Sequence, residues 1–168
     1  FASCNFALLH MFQTDLFKNK VIFVTGGGSG IGKAIAKQFL QTGATVHIAS
    51  RKKERVEQAA IELAAYGNVY AWPLDIREPE QIELVMAEIA SRSGRIDILV
   101  NNAGGQFPSA AIDISQKGWL AVINTNLNGT WFVTQAVAKH FFFPQNHGVV
   151  VNIVLNNFRG FPGMSHSA

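Results

Sequence analysis

The stretch Thr25-Gly26-Gly27-Gly28-Ser29-Gly30-Ile31-Gly32 has the composition of a loop that holds a diphosphate. Glycines let a backbone turn tightly and approach a ligand, and a helix starting behind them points free N–H groups and the positive end of its dipole at an anion. The spacing is Gly-x-x-x-Gly-x-Gly, which departs from the strict Gly-x-Gly-x-x-Gly dinucleotide fingerprint. A turn with no ligand is the competing reading, and the strand before and helix after the loop weigh against it. Further along, Ala49-Ser50-Arg51-Lys52-Lys53 stands where a dinucleotide fold ordinarily sets an acid against the ribose hydroxyls. No acid is there, and a guanidinium binds a 2′-phosphate through paired hydrogen bonds. Ser50, Arg51 and Lys52 therefore favour NADP(H) over NAD(H). A solvated basic helix start, partly neutralised by Glu54 and Glu57, is the alternative, but helix starts prefer acids. Asp75-Ile76 and Asn101-Asn102-Ala103-Gly104 close two more apolar runs, where the ligand of an open parallel sheet lies.

These groups need strands that end beside one another and helices that begin there. Val21 to Val24, Thr45 to Ala49, Val69 to Leu74, Ile96 to Val100 and Val149 to Leu155 read as five apolar strands. Ile31, Ile35 and Phe39, with Ala34, trace the inner face of a first helix that stops at Gly43. Val56, Ala60, Leu63 and Ala64 mark a second, and Ile82, Val85, Met86 and Ile89 a third that opens at Pro79 and closes at Gly94. Helices are expected from about Ser115 to Thr125 and from about Leu127 to Phe143. The latter is apolar nearly all round, as a helix packed on both a sheet and a second subunit would be. The pattern predicts an α/β fold with a doubly wound parallel sheet in three layers, α/β/α, and no second domain.

With 168 residues, 48% of them hydrophobic, the chain can bury one domain core. A net charge of +3 without a basic block argues against nucleic-acid binding, and no apolar run approaches the roughly 20 residues that span a bilayer. Cys4 is the single cysteine, and the five histidines show no metal-ligand spacing, so no metal is expected. A reducing, cytoplasmic compartment fits, with a peroxisome or mitochondrion also compatible. Phe1 to His10 lacks the basic start of a secretory signal, Met11 is the expected natural start, and residues 1–15 are set apart as an extension before a domain over 16–168.

Thr25-Gly26-x-x-x-Gly30-x-Gly32, Asp75, Asn101-Asn102-Ala103-Gly104 and the Asn126 of Asn124-Thr125-Asn126-Leu127-Asn128-Gly129 share order and spacing with the classical short-chain dehydrogenases/reductases, which the chain resembles from Leu16 onward. The resemblance implies a Rossmann-type sheet, an NAD(P) cofactor and hydride transfer to or from a carbonyl or activated alkene. It places Gly26, Ser29, Gly30, Ile31 and Gly32 at the pyrophosphate, Arg51 at the 2′-phosphate, and Asp75 and Ile76 at the adenine. Asn102, Ala103 and Gly104 fall at the riboses, and Asn126 becomes the asparagine that kinks its helix and steadies a proton-relay water. Gly104-Gly105-Gln106-Phe107, Asp113-Ile114-Ser115-x-Lys117-Gly118-Trp119 and Gly160-Phe161-Pro162 before His166-Ser167 look like the trans-2-enoyl-CoA reductase branch. That branch implies an acyl-CoA thioester substrate, and a homo-oligomer is expected.

Two departures stand out. The family's serine position falls near Leu155, followed by Asn156 and Asn157, and no Tyr-x-x-x-Lys occurs: the tyrosines are Tyr66 and Tyr70. In the family the tyrosine is the general acid and the lysine lowers its pKa. In the branch resembled, both lie beyond His166-Ser167. The chain is thus expected to be the front part of a longer enzyme, inactive alone, with the last sheet strands missing and apolar surface bared beside strand five. A non-catalytic nucleotide-binding or oligomerisation module is the alternative. His166-Ser167 reads as a polar helix start rather than as catalytic groups.

Overall fold

Each apolar run continues into an amphipathic one and returns, giving parallel strands linked by crossover helices. The computed structural model describes residues 13–155 and 163–167. The strands are β1 (Val21–Thr25), β2 (Thr45–Ser50), β3 (Val69–Pro73), β4 (Ile98–Asn101) and β5 (Val149–Asn152), in the order β3-β2-β1-β4-β5, all parallel. The chain winds outward from β1 through β2 to β3, then crosses to the other side of β1 for β4. This reversal opens a crevice at the carboxyl ends of β1 and β4.

β1 is central and buried along its whole length, its side chains alternating between two cores. Ile22 and Val24, with Val46 and Ile48 of β2, pack against α1 (Gly30–Gln41) and α2 (Lys53–Leu63). Phe23 and Leu99 face Ile82, Met86 and Ile89 of α3 (Pro79–Ser93) and Val133 and Val137 beyond it. α3 carries the expected buried face, with proline in its first turn and Gly94 in the left-handed region at its end. The amino end of the sheet is clipped by Asp97, fully buried, which accepts from the Val21 amide at 2.9 Å and from Arg95 at 3.0 and 2.5 Å, with Lys20 at 3.4 Å. Burial works to raise this carboxyl; the Val21 and Arg95 hydrogen bonds and the charges of Arg95 and Lys20 outweigh it and hold it below the ordinary range.

The first helix turns a different face inward from the one expected. Gly32, Ala36 and Leu40 are buried, whereas Ile31 is 65% exposed. Both stripes have helical spacing, and the smaller residues win because they let the helix lie close to the sheet. Ile31, Ile35 and Phe39 instead form, with Leu16 and Phe17, an outward apolar groove of about 520 Å³. In α2 the buried set is Val56, Ala59 and Leu63; Ala60 is half-buried, and Ala64 is exposed where a 3₁₀ turn tightens the helix end.

The two helices expected after β4 are one continuous rod. α4 (Gln116–Ile123), α5 (Thr130–Val137) and α6 (Phe143–Gln145) are joined without a break by π-helical turns at Asn124–Gly129 and Ala138–Phe142. Val133, Ala136, Val137 and Phe141 are buried, while Trp119, Leu127, Trp131 and Phe143 are exposed on the other side. β5 ends at Asn152, three residues before the expected Leu155, although Ile153 still donates to the Asn101 carbonyl at 2.9 Å. All four β5 residues are exposed, as expected of a strand with a bare flank. The expectations for residues 1–12 and 156–162, including Met11, Asn156, Asn157 and Gly160-Phe161-Pro162, lie outside the described residues.

Candidate functional site

Thr25, the last residue of β1, organises the crevice. Its hydroxyl accepts from the Asn102 and Ala103 amides, both at 3.0 Å, and donates to the Val100 carbonyl at 3.4 Å. The Asn102 side-chain amide donates back to the Thr25 and Gly26 carbonyls at 3.0 and 3.3 Å. The ends of β1 and β4 are thereby stitched together, and Asn102 has its amide nitrogen committed to the loop. The stitch explains two glycines. Gly26 has φ of 67°, and a Cβ there would meet Asn102 Nδ2 at 2.7 Å; a Cβ on Gly32 would meet the Gly26 carbonyl at 2.5 Å.

Behind the loop, α1 begins with nothing to satisfy its first amides. Ser29 at the N-cap makes no side-chain capping bond, and no acid stands in the first turn. Those N–H groups and the dipole are left for an anion. The Gly27 amide is spent on the Ala49 carbonyl at 3.0 Å, so the donors left for a diphosphate are the first amides of α1, in a cradle that Cβ atoms on Gly26 and Gly32 would fill.

A cavity of about 250 Å³ opens in front of it, lined by Gly26 and Ser29 of the loop, Ser50, Arg51 and Arg55 from the β2 end, Leu74 and Ile76 from the β3 end, and Asn102, Ala103 and Gly104 after β4. Eight residues singled out from sequence thus share one wall. Gly30, Ile31, Gly32, Lys52 and Asp75 are not part of it. Asp75 is drawn onto Arg77, whose side chain donates at 2.9, 3.2 and 2.5 Å. The Arg77 hydrogen bond, working against burial, pulls the Asp75 carboxyl below its usual range.

Arg55 was not anticipated. It stands in the first turn of α2, and its Cγ lies 3.3 Å from where a Gly28 Cβ would be, so its stem packs along the glycine loop. The available signal was the basic run Arg51-Lys52-Lys53-Glu54-Arg55: Arg51 precedes the helix and Arg55 stands in its first turn, and both line the same cavity.

A second cavity of about 390 Å³ shares Asn102, Ala103 and Gly104 with the first and continues past Asn101, Asn126, Thr130 and Asn152 to Ile153, Val154 and Leu155. Asn126 sits in the π turn and grips Gly105 twice, accepting from its amide at 3.0 Å and donating to its carbonyl at 3.1 Å. Asn101 donates to Thr134 and Asn152, both at 2.9 Å, while its Oδ1 is buried with no hydrogen-bond partner among the described residues. Leu155 gives this end an apolar lining. His166 differs from the polar helix start expected: it lies in a short 3₁₀ turn, Ser165–Ser167, 2% exposed, its ring tilted against Phe107 with centroids 4.5 Å apart. Aromatic packing overrides polarity there, with Ser109 donating to the Gly163 carbonyl at 2.8 Å beside it. No helix among the described residues is long and apolar enough to cross a membrane.

A five-stranded parallel sheet, helices on both faces and a glycine loop at the strand reversal define a Rossmann-type doubly wound domain. Residues 20–166 match the model of the family described as short chain dehydrogenase. The chain is 35% identical over 153 residues to a probable 2,4-dienoyl-CoA reductase, (2E)-enoyl-CoA-producing, of Bacillus subtilis (strain 168), covering 90% of this chain and 60% of that one. It is 40% identical over 153 residues to a peroxisomal 2,4-dienoyl-CoA reductase, (3E)-enoyl-CoA-producing, of Pongo abelii, covering 89% and 52%. Among solved structures, the citronellol catabolism dehydrogenase AtuB of Pseudomonas aeruginosa PAO1 superposes with a TM-score of 0.88 at 40% identity, over 94% of this chain and 64% of that one. The chain belongs to the short chain dehydrogenase family, as its motifs implied, and spans between half and two thirds of the length of these relatives.

Proposed function

We propose that this chain is the cofactor-binding part of an NADP(H)-dependent reductase acting on an α,β-unsaturated acyl-CoA thioester. The pairing of Arg51 and Arg55 with Ser50 on one cavity wall, at a strand end that carries no acid, supports the choice of NADP(H). The names of the Bacillus subtilis and Pongo abelii relatives support the substrate class. Bound in the cleft, a dinucleotide would supply a hydride. The chain's own residues do the rest: the first amides of α1 and the glycine loop hold the diphosphate, Arg51 and Arg55 the 2′-phosphate, Ile76 the adenine, and Asn102 to Gly104 the riboses. Asn126 fixes the Gly105 backbone and keeps one amide hydrogen and one lone pair free for a relay water. Leu155 gives the substrate end an apolar lining, which suits an acyl chain.

The exposed Trp119, Leu127 and Trp131 along the helical rod support assembly with a second copy through that face. Fluorescence titration with NADPH and NADH tests the reading. Arg51→Ala is expected to weaken NADPH by about 1 to 3 kcal/mol and NADH little. Equal losses for both would refute the 2′-phosphate contact.

A further inference from the structure

The residue in register with Phe23 on β2 is His47, fully buried, and nothing in the cleft uses it. Its Nδ1 accepts from the Trp72 indole N–H at 2.9 Å. An indole nitrogen only donates, so the ring proton sits on Nε2, which faces the Ser93 hydroxyl at 2.8 Å. The ring also stacks with Tyr70 at 5.0 Å and Trp72 at 5.8 Å, both of β3. The charged and titratable groups facing it are Tyr70 from β3 and Arg92 from α3, whose guanidinium lies over the Tyr70 and Trp72 rings at 5.4 and 5.6 Å; β1 contributes Phe23. No carboxylate bonds to it among the described residues.

A second proton on this ring would put two donors nose to nose at Nδ1 and a charge beside Arg92 on a buried side chain. Burial first, and Arg92 second, lower its pKa to about 4. β3 is an edge strand paired only with β2, and the chain leaving it carries Leu74 and Ile76 into the cleft. We propose that the His47–Trp72 pair is an acid-operated latch: proton uptake by His47 breaks the side-chain bond that ties β3 to β2 and loosens the cleft wall that β3 supports. The latch itself is independent of the proposed cofactor; its effect on the cleft rests on that reading.

The sign follows from linkage. His47 is neutral when folded and takes a proton on unfolding between about pH 4 and its ordinary value near 6.5, so stability is full above that window and is lost as pH falls through it. Urea unfolding at pH 7.5 and 5.0 should show the unfolding constant rising about 30-fold for the natural chain. His47→Gln, which keeps an acceptor and a donor but does not titrate, should lack that rise. Hydrogen exchange should show β3 amides losing protection relative to β1 amides at pH 5.0 in the natural chain alone. An equal pH response in both proteins, or β3 and β1 amides responding alike, overturns the latch. Should His47→Gln fail to fold, an NMR titration of the natural chain decides: a His47 ring that protonates near 6.5 with β3 still protected overturns it, and one that stays neutral to about pH 5 supports it. NADPH titration at both pH values forms a separate arm. Acid-weakened binding that His47→Gln restores supports the link to the cleft, pH-independent binding overturns that link, and absence of binding at either pH counts against the cofactor reading and leaves the stability arm to judge the latch.

Discussion

The two edges of the sheet are finished in opposite ways. β3 is sealed by an aromatic and polar packing in which Tyr70 and Trp72 stack on His47 and Arg92 closes over them. β5 leaves Val149, Val150 and Val151 each about two-fifths exposed, with Ile153, Val154 and Leu155 exposed after them. Both strands end the sheet among the described residues and leave a row of backbone groups unpaired; the difference is that the side chains of β3 form a specific network, whereas those of β5 are apolar and exposed. The chain thus has a closed side, next to the cleft that the sequence motifs build, and an open side.

Substitutions can break or sharpen that contrast. Asp97→Ala, at the clip between the two sides, should cost most, about 3 kcal/mol, because it strips a buried carboxylate from the Val21 amide and Arg95; chemical denaturation measures it. The same carboxylate makes stability acid-sensitive. Its folded pKa is depressed, so its contribution is complete above the unfolded value near 3.8 and lost as pH falls through the folded one. The natural chain should therefore lose stability below about pH 4 more steeply than Asp97→Asn, in melts followed by circular dichroism. Trp72→Ala on the closed edge should cost about 2 to 3 kcal/mol, since it removes a large side chain and leaves the buried His47 nitrogen unpaired. Val150→Lys on the open edge should change stability by less than about 0.5 kcal/mol. It should lower the sedimentation-average mass if β5 drives self-association; a large loss of stability there would mean that the open side is already closed.

The closed side was the legible one. β1, β2 and the inner face of α3 follow from runs with one possible period, and the glycine loop, Ser50, Arg51 and Asn102 to Gly104 meet because parallel strands end together. Features set by competition between neighbours were not legible. α1 has two apolar stripes of equal spacing, and only the closeness that Gly32 and Ala36 permit chooses between them. Arg55 was hidden as an ordinary helix-surface charge. Its approach to the cleft depends on Gly28 leaving room for its stem. His166 reads as polar until Phe107 is folded over it, and β5 reads as longer because Ile153 to Leu155 continue its apolar run after the ladder ends.

The π turn at Asn124–Gly129 stores one residue more than ordinary helical winding needs, at the spot where Asn126 holds Gly105. Wound wider than an α-helix, this turn carries the rod about as far round as one residue fewer would at regular pitch, so deleting a single residue there would return the rod to regular winding with Val133 and Val137 still facing the sheet. The bulge that brings Asn126 to Gly105 would be lost instead. A one-residue deletion in this turn should therefore leave the fold standing and release the loop grip.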